Sequence, residues 1–363
     1  MAPASRSKKR ARGSSEDAPV NVKSISPITR DLALHADPPP KSINKLPMSN
    51  LKLSGHQKPV YTLSFSNSTK TSATGFMASG SFDKTILLWN VGQFCCDNYN
   101  TLTGHTNAIL QLDWNKDDTM IFTASADKTC RAFDANLGGE SIKKYTQAAI
   151  VNSVKASRSD VNLFATAGDD KCARIFDSRV ARKSILSVDS EWQQTACELS
   201  SFGNVEGGLL YSGGIDNIMR AYDLRTLSDG ACKPLFELEG HTDTISGCAL
   251  SPDQTQLLTN AMDNTMRLWD VKSYVKGTRA VRSFVGHKHG SERRLLKCSW
   301  SHCGDLVSCG SSDKIVHVWD VETAEEVYSL PGHGASVNDV QFSKGGGVIA
   351  SGSSDNSIFL GEI

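Results

Sequence analysis

From about residue 50 to the C-terminus, apolar residues fall in short runs of strand length, each run bounded by turn-forming residues. The stretch Leu257–Val271, LLTNAMDNTMRLWDV, shows the pattern in full. Leu257 and Leu258 open one strand, and Asp263-Asn264 supply a tight turn. Met266, Leu268 and Asp270 then alternate with Thr265, Arg267 and Trp269. A period of two predicts a strand with one face inward, so the unit reads as strand, turn, strand.

The unit recurs. Its turn aspartates are Asp83, Asp127, Asp170, Asp216, Asp263, Asp313 and Asp355, spaced by 44, 43, 46, 47, 50 and 42 residues. Six residues after each of the first six stands an aromatic: Trp89, Phe133, Phe176, Tyr222, Trp269 and Trp319. Four residues before each stands a small side chain: Ser79, Thr123, Thr166, Ser212, Thr259, Cys309 and Ser351. A Gly-His pair precedes units one, two, five, six and seven. Repetition at about 45 residues means stacked supersecondary units rather than two unrelated domains. Seven strand-rich units predict an all-β, seven-bladed propeller. The last unit ends one strand short at Ile363, and residues 49–53 are the spare strand expected to complete it, removing an exposed edge. The expected organisation is therefore a tail, 1–48, and a propeller, 49–363.

The repeated polar residues have a physical reading. A turn Asp can accept from the His ring, whose other nitrogen faces the hydroxyl, which in turn can meet the indole N–H. Each needs a partner, because an unpaired buried polar group costs about 1–3 kcal/mol. The expected sets are His56, Ser79, Asp83 and Trp89; His105, Thr123 and Asp127; His241, Thr259, Asp263 and Trp269; His287, Asp313 and Trp319; and His333, Ser351 and Asp355. Units three and four lack the His and are expected to be the least cross-linked. Several similar His/Asp sets at one place in the repeat suit a scaffold rather than a hydrolase triad, which needs one exposed nucleophile with an oxyanion hole. Neither a nucleophile elbow, nor a phosphate loop, nor a zinc-helix motif occurs. No catalytic residue, cofactor, metal site or small-molecule substrate is expected.

Composition narrows the partners. The 39 basic and 39 acidic residues cancel, which argues against a protein built to wrap nucleic acid. The ten cysteines show no metal or disulfide spacing and read as small hydrophobes in a reducing compartment. No signal peptide or membrane span is apparent in the sequence. The tail buries too little apolar surface to order. Its cluster Arg6, Lys8, Lys9, Arg10 and Arg12 reads as a nuclear import signal. A second basic stretch, Lys272 to Lys297, holds Lys276, Arg279, Arg282, Lys288, Arg293 and Arg294 against the single acid Glu292. It is a candidate contact for RNA phosphate or an acidic protein surface.

The chain from 50 to 363 resembles the WD-repeat propellers. Within them it resembles the WD-repeat subunits of the spliceosomal U5 small nuclear ribonucleoprotein. The strings that carry the likeness are FDKTILLWNV, CDNYNTLTGH, SGGIDNIMRAYDLR, LLTNAMDNTMRLWDV, LLKCSWS, LPGHGASVNDVQF and the terminal FLGEI. Units three and four depart from the pattern. The resemblance implies a nuclear, non-enzymatic scaffold in pre-mRNA splicing. Such a scaffold docks on the large central protein of the U5 particle and on other spliceosomal proteins, with RNA met only indirectly or through phosphate. A competing expectation is a substrate receptor of a cullin-type ubiquitin ligase. It rests on Arg179 in FDSR and Arg225 in YDLR, which approach a Trp-Asp-x-Arg pattern; the alternative is that each Arg pairs with the neighbouring blade.

Overall fold

Asp83 shows how the sequence makes a hairpin. Its Oδ1 accepts from the Thr85 backbone N–H at 3.0 Å and from the Thr85 hydroxyl at 2.6 Å. The Lys84 N–H donates to the Ser81 carbonyl at 3.2 Å. Lys84 itself takes a left-handed φ of 73°. This is a type I turn closed by one left-handed residue, which matches the twist of the flanking strands. In all seven repeats the residue after the turn Asp has φ between 61° and 74°. Asn tolerates that region better than Lys, yet Lys occupies four of the seven positions.

The computed structural model describes residues 51–67, 75–91, 96–180, 183–200, 208–228, 233–345 and 347–363. These fold into seven sheets, each a blade of at least four antiparallel strands, a to d from the axis outward. Strand a is Val60–Phe65, Ile109–Trp114, Val151–Ala156, Gln194–Ser200, Ile245–Leu250, Cys298–Trp300 and Val337–Phe342 in blades 1 to 7. The seven-bladed architecture read from the repeat is the observed one. The basic cluster at 6–12, and the tail as a whole, lie outside the described residues. Blade 7 takes its outer strand from Leu51–Ser54, with Leu51 opposite Leu360 and Ser54 opposite Ser357. The expected start of that strand at Ser49 also lies outside the described residues.

Apolar clusters form between blades as well as within them. Leu53, Ile358 and Leu360 of blade 7 pack with Val60, Leu63, Met77 and Trp89 of blade 1. Each such buried Leu contributes about 1.5–3 kcal/mol of transfer free energy. Blade 1 also gains a fifth strand, Gly139–Glu140 from the c–d loop of blade 2, parallel to Leu102–Thr103.

Strand direction sorts the loops. The d–a loops and b–c turns share one face, and the a–b and c–d loops share the other. In six blades strand a carries a bulge near its start, as between Val60 and Thr62. A bulge re-aims the extra side chain, here Tyr61, Leu110 and Asn152 among others. Those three line one mouth of the central channel, on the d–a face.

Candidate interaction surfaces and the polar sets behind them

In blade 5 the Trp269 indole N–H donates to Thr259 Oγ1 at 2.8 Å, and Thr259 Oγ1 lies 2.7 Å from His241 Nε2. His241 Nδ1 lies 3.0 Å from Asp263 Oδ2. An indole can only donate and a carboxylate only accepts, so both ends are fixed: the Trp269 N–H donates to the hydroxyl, and His241 Nδ1 carries the proton that Asp263 accepts. Asp263 also accepts from the Thr242 N–H at 3.0 Å and the Thr265 hydroxyl at 2.7 Å. Burial opposes ionisation of Asp263, but these bonds hold its carboxyl well below the usual range. Gly240 precedes His241 with φ 153°, and a Cβ there would fall 2.7 Å from the Arg267 guanidinium.

Blade 1 repeats this chain through His56, Ser79, Asp83 and Trp89 at 2.7–2.9 Å. Blade 2 links His105 to Asp127 at 2.8 Å and to Thr123 at 2.7 Å. Blade 7 links His333 to Asp355 at 3.1 Å and to Ser351 at 2.8 Å. Burial keeps both His105 and His333 below the usual imidazole pKa.

Two expectations about these sets need correction. The first is that His287, Asp313 and Trp319 act together in blade 6. His287 Nε2 instead meets Asn260 Oδ1 of blade 5 at 2.9 Å, and the Trp319 indole donates to the Val285 carbonyl at 3.1 Å. The cause is at the hydroxyl position. Cys309 is a poor acceptor there, and its thiol donates to its neighbour's carbonyl, Gly310 O, at 3.1 Å. Asp313 is taken by His317, four residues on, at 3.1 Å, and the other nitrogen of His317 meets Glu326 at 2.7 Å. With carboxylates at both nitrogens His317 is an imidazolium. Burial alone would lower its pKa, but the two carboxylates raise it to about 9. Burial pushes His287 down to about 3.

The second concerns blades 3 and 4, which are cross-linked after all. Gln147 donates to Thr166 Oγ1 at 2.8 Å and accepts from Arg174 at 2.9 Å, and Arg174 also holds Asp170 at 2.6 Å. In blade 4 Ser212 donates to Gln194 Oε1 at 2.5 Å, while Arg220 pairs with Asp216 and, at 2.8 Å, with Glu237. An amide replaces the imidazole, and an Arg four residues after the Asp supplies the charge.

The basic stretch 272–297 is not one surface. The outer strand Ala280–Val285 of blade 5 runs through it, so its two ends open on opposite faces. Lys276 is exposed on the a–b face. Arg279 stacks 3.8 Å over the Phe236 ring, and its guanidinium donates to the Asp270 and Lys272 carbonyls. Arg282 is exposed along the strand. Lys288, Arg293 and Arg294 lie on the d–a face, where Arg294 is held by Glu292 and Ser354, and Arg293 is exposed with φ 47°. Lys297 is buried in the channel.

Arg179 and Arg225 lie in c–d loops on the a–b face, with 63% and 54% of their side chains exposed. Arg179 pairs with Asp177 at 2.8 Å and, at 3.8 Å, with Asp160 of the same blade, and Arg225 pairs with Asp223 at 3.1 Å. Those hydrogen bonds hold both carboxyls below their ordinary range.

The d–a mouth of the channel is an apolar cavity of about 390 Å³ walled by Tyr61, Leu110, Ile150 and Leu295. Sequence reasoning missed the cavity and the bridging role of Asn260. The second had a visible signal, since Asn260 opens the NAMDN string.

A ring of four-stranded blades, each locked by an Asp-centred polar set and open at both ends of its channel, defines a class of interaction scaffold. The chain belongs to the WD-repeat family: the model of the WD domain, G-beta repeat, matches residues 48–90, 96–134, 232–270, 278–320 and 324–360. The unmatched span holds blades 3 and 4, where Gln and Arg stand in for His. The chain is 39% identical over 322 residues to the U5 small nuclear ribonucleoprotein 40 kDa protein of Dictyostelium discoideum, covering 88% of this chain and 86% of that one. It is 38% identical over 331 residues to the Homo sapiens protein of the same name, covering 91% and 87%. It is 36% identical over 320 residues to the pre-mRNA-splicing factor cwf17 of Schizosaccharomyces pombe, covering 88% of each chain.

Proposed function

We propose that this protein is a non-enzymatic scaffold of pre-mRNA splicing, a component of the U5 ribonucleoprotein that works in the nucleus. The observation that carries the reading is the 36–39% identity to U5 40 kDa proteins and a splicing factor, spread over 88–91% of the chain. The repeated His, Asp and hydroxyl groups are spent on holding blades, which supports a binding role over catalysis. The finer proposal is that the chain docks on the large central protein of the U5 particle, with RNA met only through phosphate. Affinity purification from nuclear extract, with and without ribonuclease, tests both levels. Splicing proteins retained after ribonuclease support the scaffold, and a large U5 protein among them supports the docking partner. Loss of all splicing proteins on ribonuclease treatment contradicts the protein-docking reading.

The cullin-ligase reading is favoured by one observation: Arg179 and Arg225 are exposed on the same face, each braced by an aspartate. Reversing both to Glu abolishes recovery of a ligase adaptor if that reading holds, and leaves recovery of splicing proteins unchanged if it does not.

A further inference from the structure

The a–b mouth of the channel is chemically unlike the apolar d–a mouth. It is a funnel of about 280 Å³ whose wall comes from the a–b loops and inner strands of several blades. Its inner end is sealed by an ion triad. Lys155 of blade 3 lies 3.8 Å from Asp113 of blade 2 and 3.8 Å from Glu198 of blade 4. Glu198 is only 2% exposed, and burial raises its carboxyl above the ordinary range, which weakens it as a competing anion. Asp113 is further satisfied by Ser64 and by the Ala156 N–H, both at 3.1 Å.

Outside the triad the titratable groups of the wall are all basic, Lys116, Arg158, His302 and Lys344, among the neutral Asn67, Trp114, Ser157 and Pro252. Arg158 reaches across the channel to the Leu250 and Ser251 carbonyls at 3.0 and 2.9 Å. Lys116 donates to the Ser159 carbonyl at 3.3 Å. Both rest on backbone carbonyls; Glu198 at the inner end feels the Arg158 charge, but the two carboxylates of the triad are outnumbered by the four cations of the wall, Lys116, Lys155, Arg158 and Lys344. Lys344 and His302, also in the wall, have no hydrogen-bond or ion-pair partner among the described residues. Lys344 and His302 are exposed at the rim; the protein crowding the Lys344 amine and the facing Arg158 guanidinium lower its ammonium to about 8, against the pull of Asp113 and Glu198. Cations that raise one another's cost are relieved by an anion brought between them.

We propose that this funnel binds a phosphomonoester, the side chain of a phosphoserine or phosphothreonine presented by a partner protein. A phosphomonoester carries close to two negative charges and three acceptor oxygens at one tip, which suits a short pit rimmed by Arg, Lys and His. A nucleic-acid strand presents single charges along an extended backbone and needs a groove. Its second phosphate would meet the Asp113 and Glu198 end of the pit. The site is independent of the splicing assignment, because it is tested on the isolated chain.

The full chain is titrated calorimetrically with a short phosphoserine peptide of neutral sequence, its unphosphorylated twin, inorganic phosphate and an oligouridylate. The expected result is saturable binding of the phosphopeptide and none of its twin, with inorganic phosphate competing. Lys344→Gln and His302→Gln each weaken it about tenfold, as the loss of one charge-assisted bond would. Arg293→Glu on the other face leaves it unchanged. The Lys344 pKa rises when phosphopeptide is bound, a readout that folding defects do not mimic. Absence of phosphopeptide binding overturns the proposal. So does binding untouched by both funnel variants, or preference for oligouridylate, which makes the funnel an RNA contact.

Discussion

Blades 5 and 6 are neighbours and solve one problem in opposite ways. Both must bury a turn aspartate beside a tryptophan. Blade 5 uses an imidazole reached from the d–a loop, which joins Asp263 to the Thr259 hydroxyl beneath the Trp269 indole. Blade 6 has Cys309 in place of the hydroxyl, so that chain cannot form. Its aspartate is held by the imidazolium of His317 on its own hairpin, with Glu326 as second anchor. His287 becomes free to bridge to Asn260, joining the two blades. Blades 3 and 4 follow the logic of blade 6 with Arg174 and Arg220 in place of His317. What the fold requires is a neutralised turn aspartate, and the partner's type and position are free to move.

The contrast can be broken by experiment. The largest effect is expected from Asp263→Ala, which orphans the His241 N–H and two turn amides and costs about 2–4 kcal/mol in urea unfolding. Asp313→Ala costs less, about 1–2 kcal/mol, because Glu326 still holds His317. Equal losses would show that the two arrangements are not distinct. Arg174→Met leaves Asp170 without its cation and costs about 1–3 kcal/mol. A change below the error of the unfolding curve would return blade 3 to the status of an unlinked blade.

The pH dependence separates the blades next. The folded pKa of His317, about 9, lies above the ordinary value of about 6.5. Its stabilisation is therefore full below about pH 6.5 and is lost as pH rises through about 9. Blade 6 should loosen over that range while blade 5 does not. An NMR titration of His317 with a midpoint near 6.5 would contradict the imidazolium. The turn aspartates work at the acid end. Asp355 is depressed to about 2 against burial by its hydroxyl and amide donors. Its stabilisation is present above about pH 3.9 and lost as pH falls through about 2. The smallest effect is expected from Cys309→Thr. A hydroxyl there has no imidazole to meet, so the unfolding free energy should change by less than about 0.5 kcal/mol. A gain of 1 kcal/mol or more would mean that His287 swings back to a blade 5 arrangement.

The turns were legible because each needs an Asp at one place, and the 42–50-residue spacing then counts the blades. The polar sets of blades 1, 2, 5 and 7 were legible for the same reason. Blades 3 and 4 were not, because Gln147, Gln194, Arg174 and Arg220 are ordinary surface residue types and only the fold brings them to the aspartate. The division of the 272–297 stretch was hidden because Ala280–Val285 is exposed at all but one position. An outer strand with so little inward face carries no period-two signal. The two mouths of the channel are assembled from residues up to a few hundred positions apart, beyond any local pattern.

Hydrogen–deuterium exchange of the inner strands tests the central claim most directly. If every turn aspartate is neutralised, Val151–Ala156 of blade 3 and Gln194–Ser200 of blade 4 exchange as slowly as Ile245–Leu250 of blade 5. Exchange in blades 3 and 4 that is faster by orders of magnitude, with blade 5 intact, would contradict it.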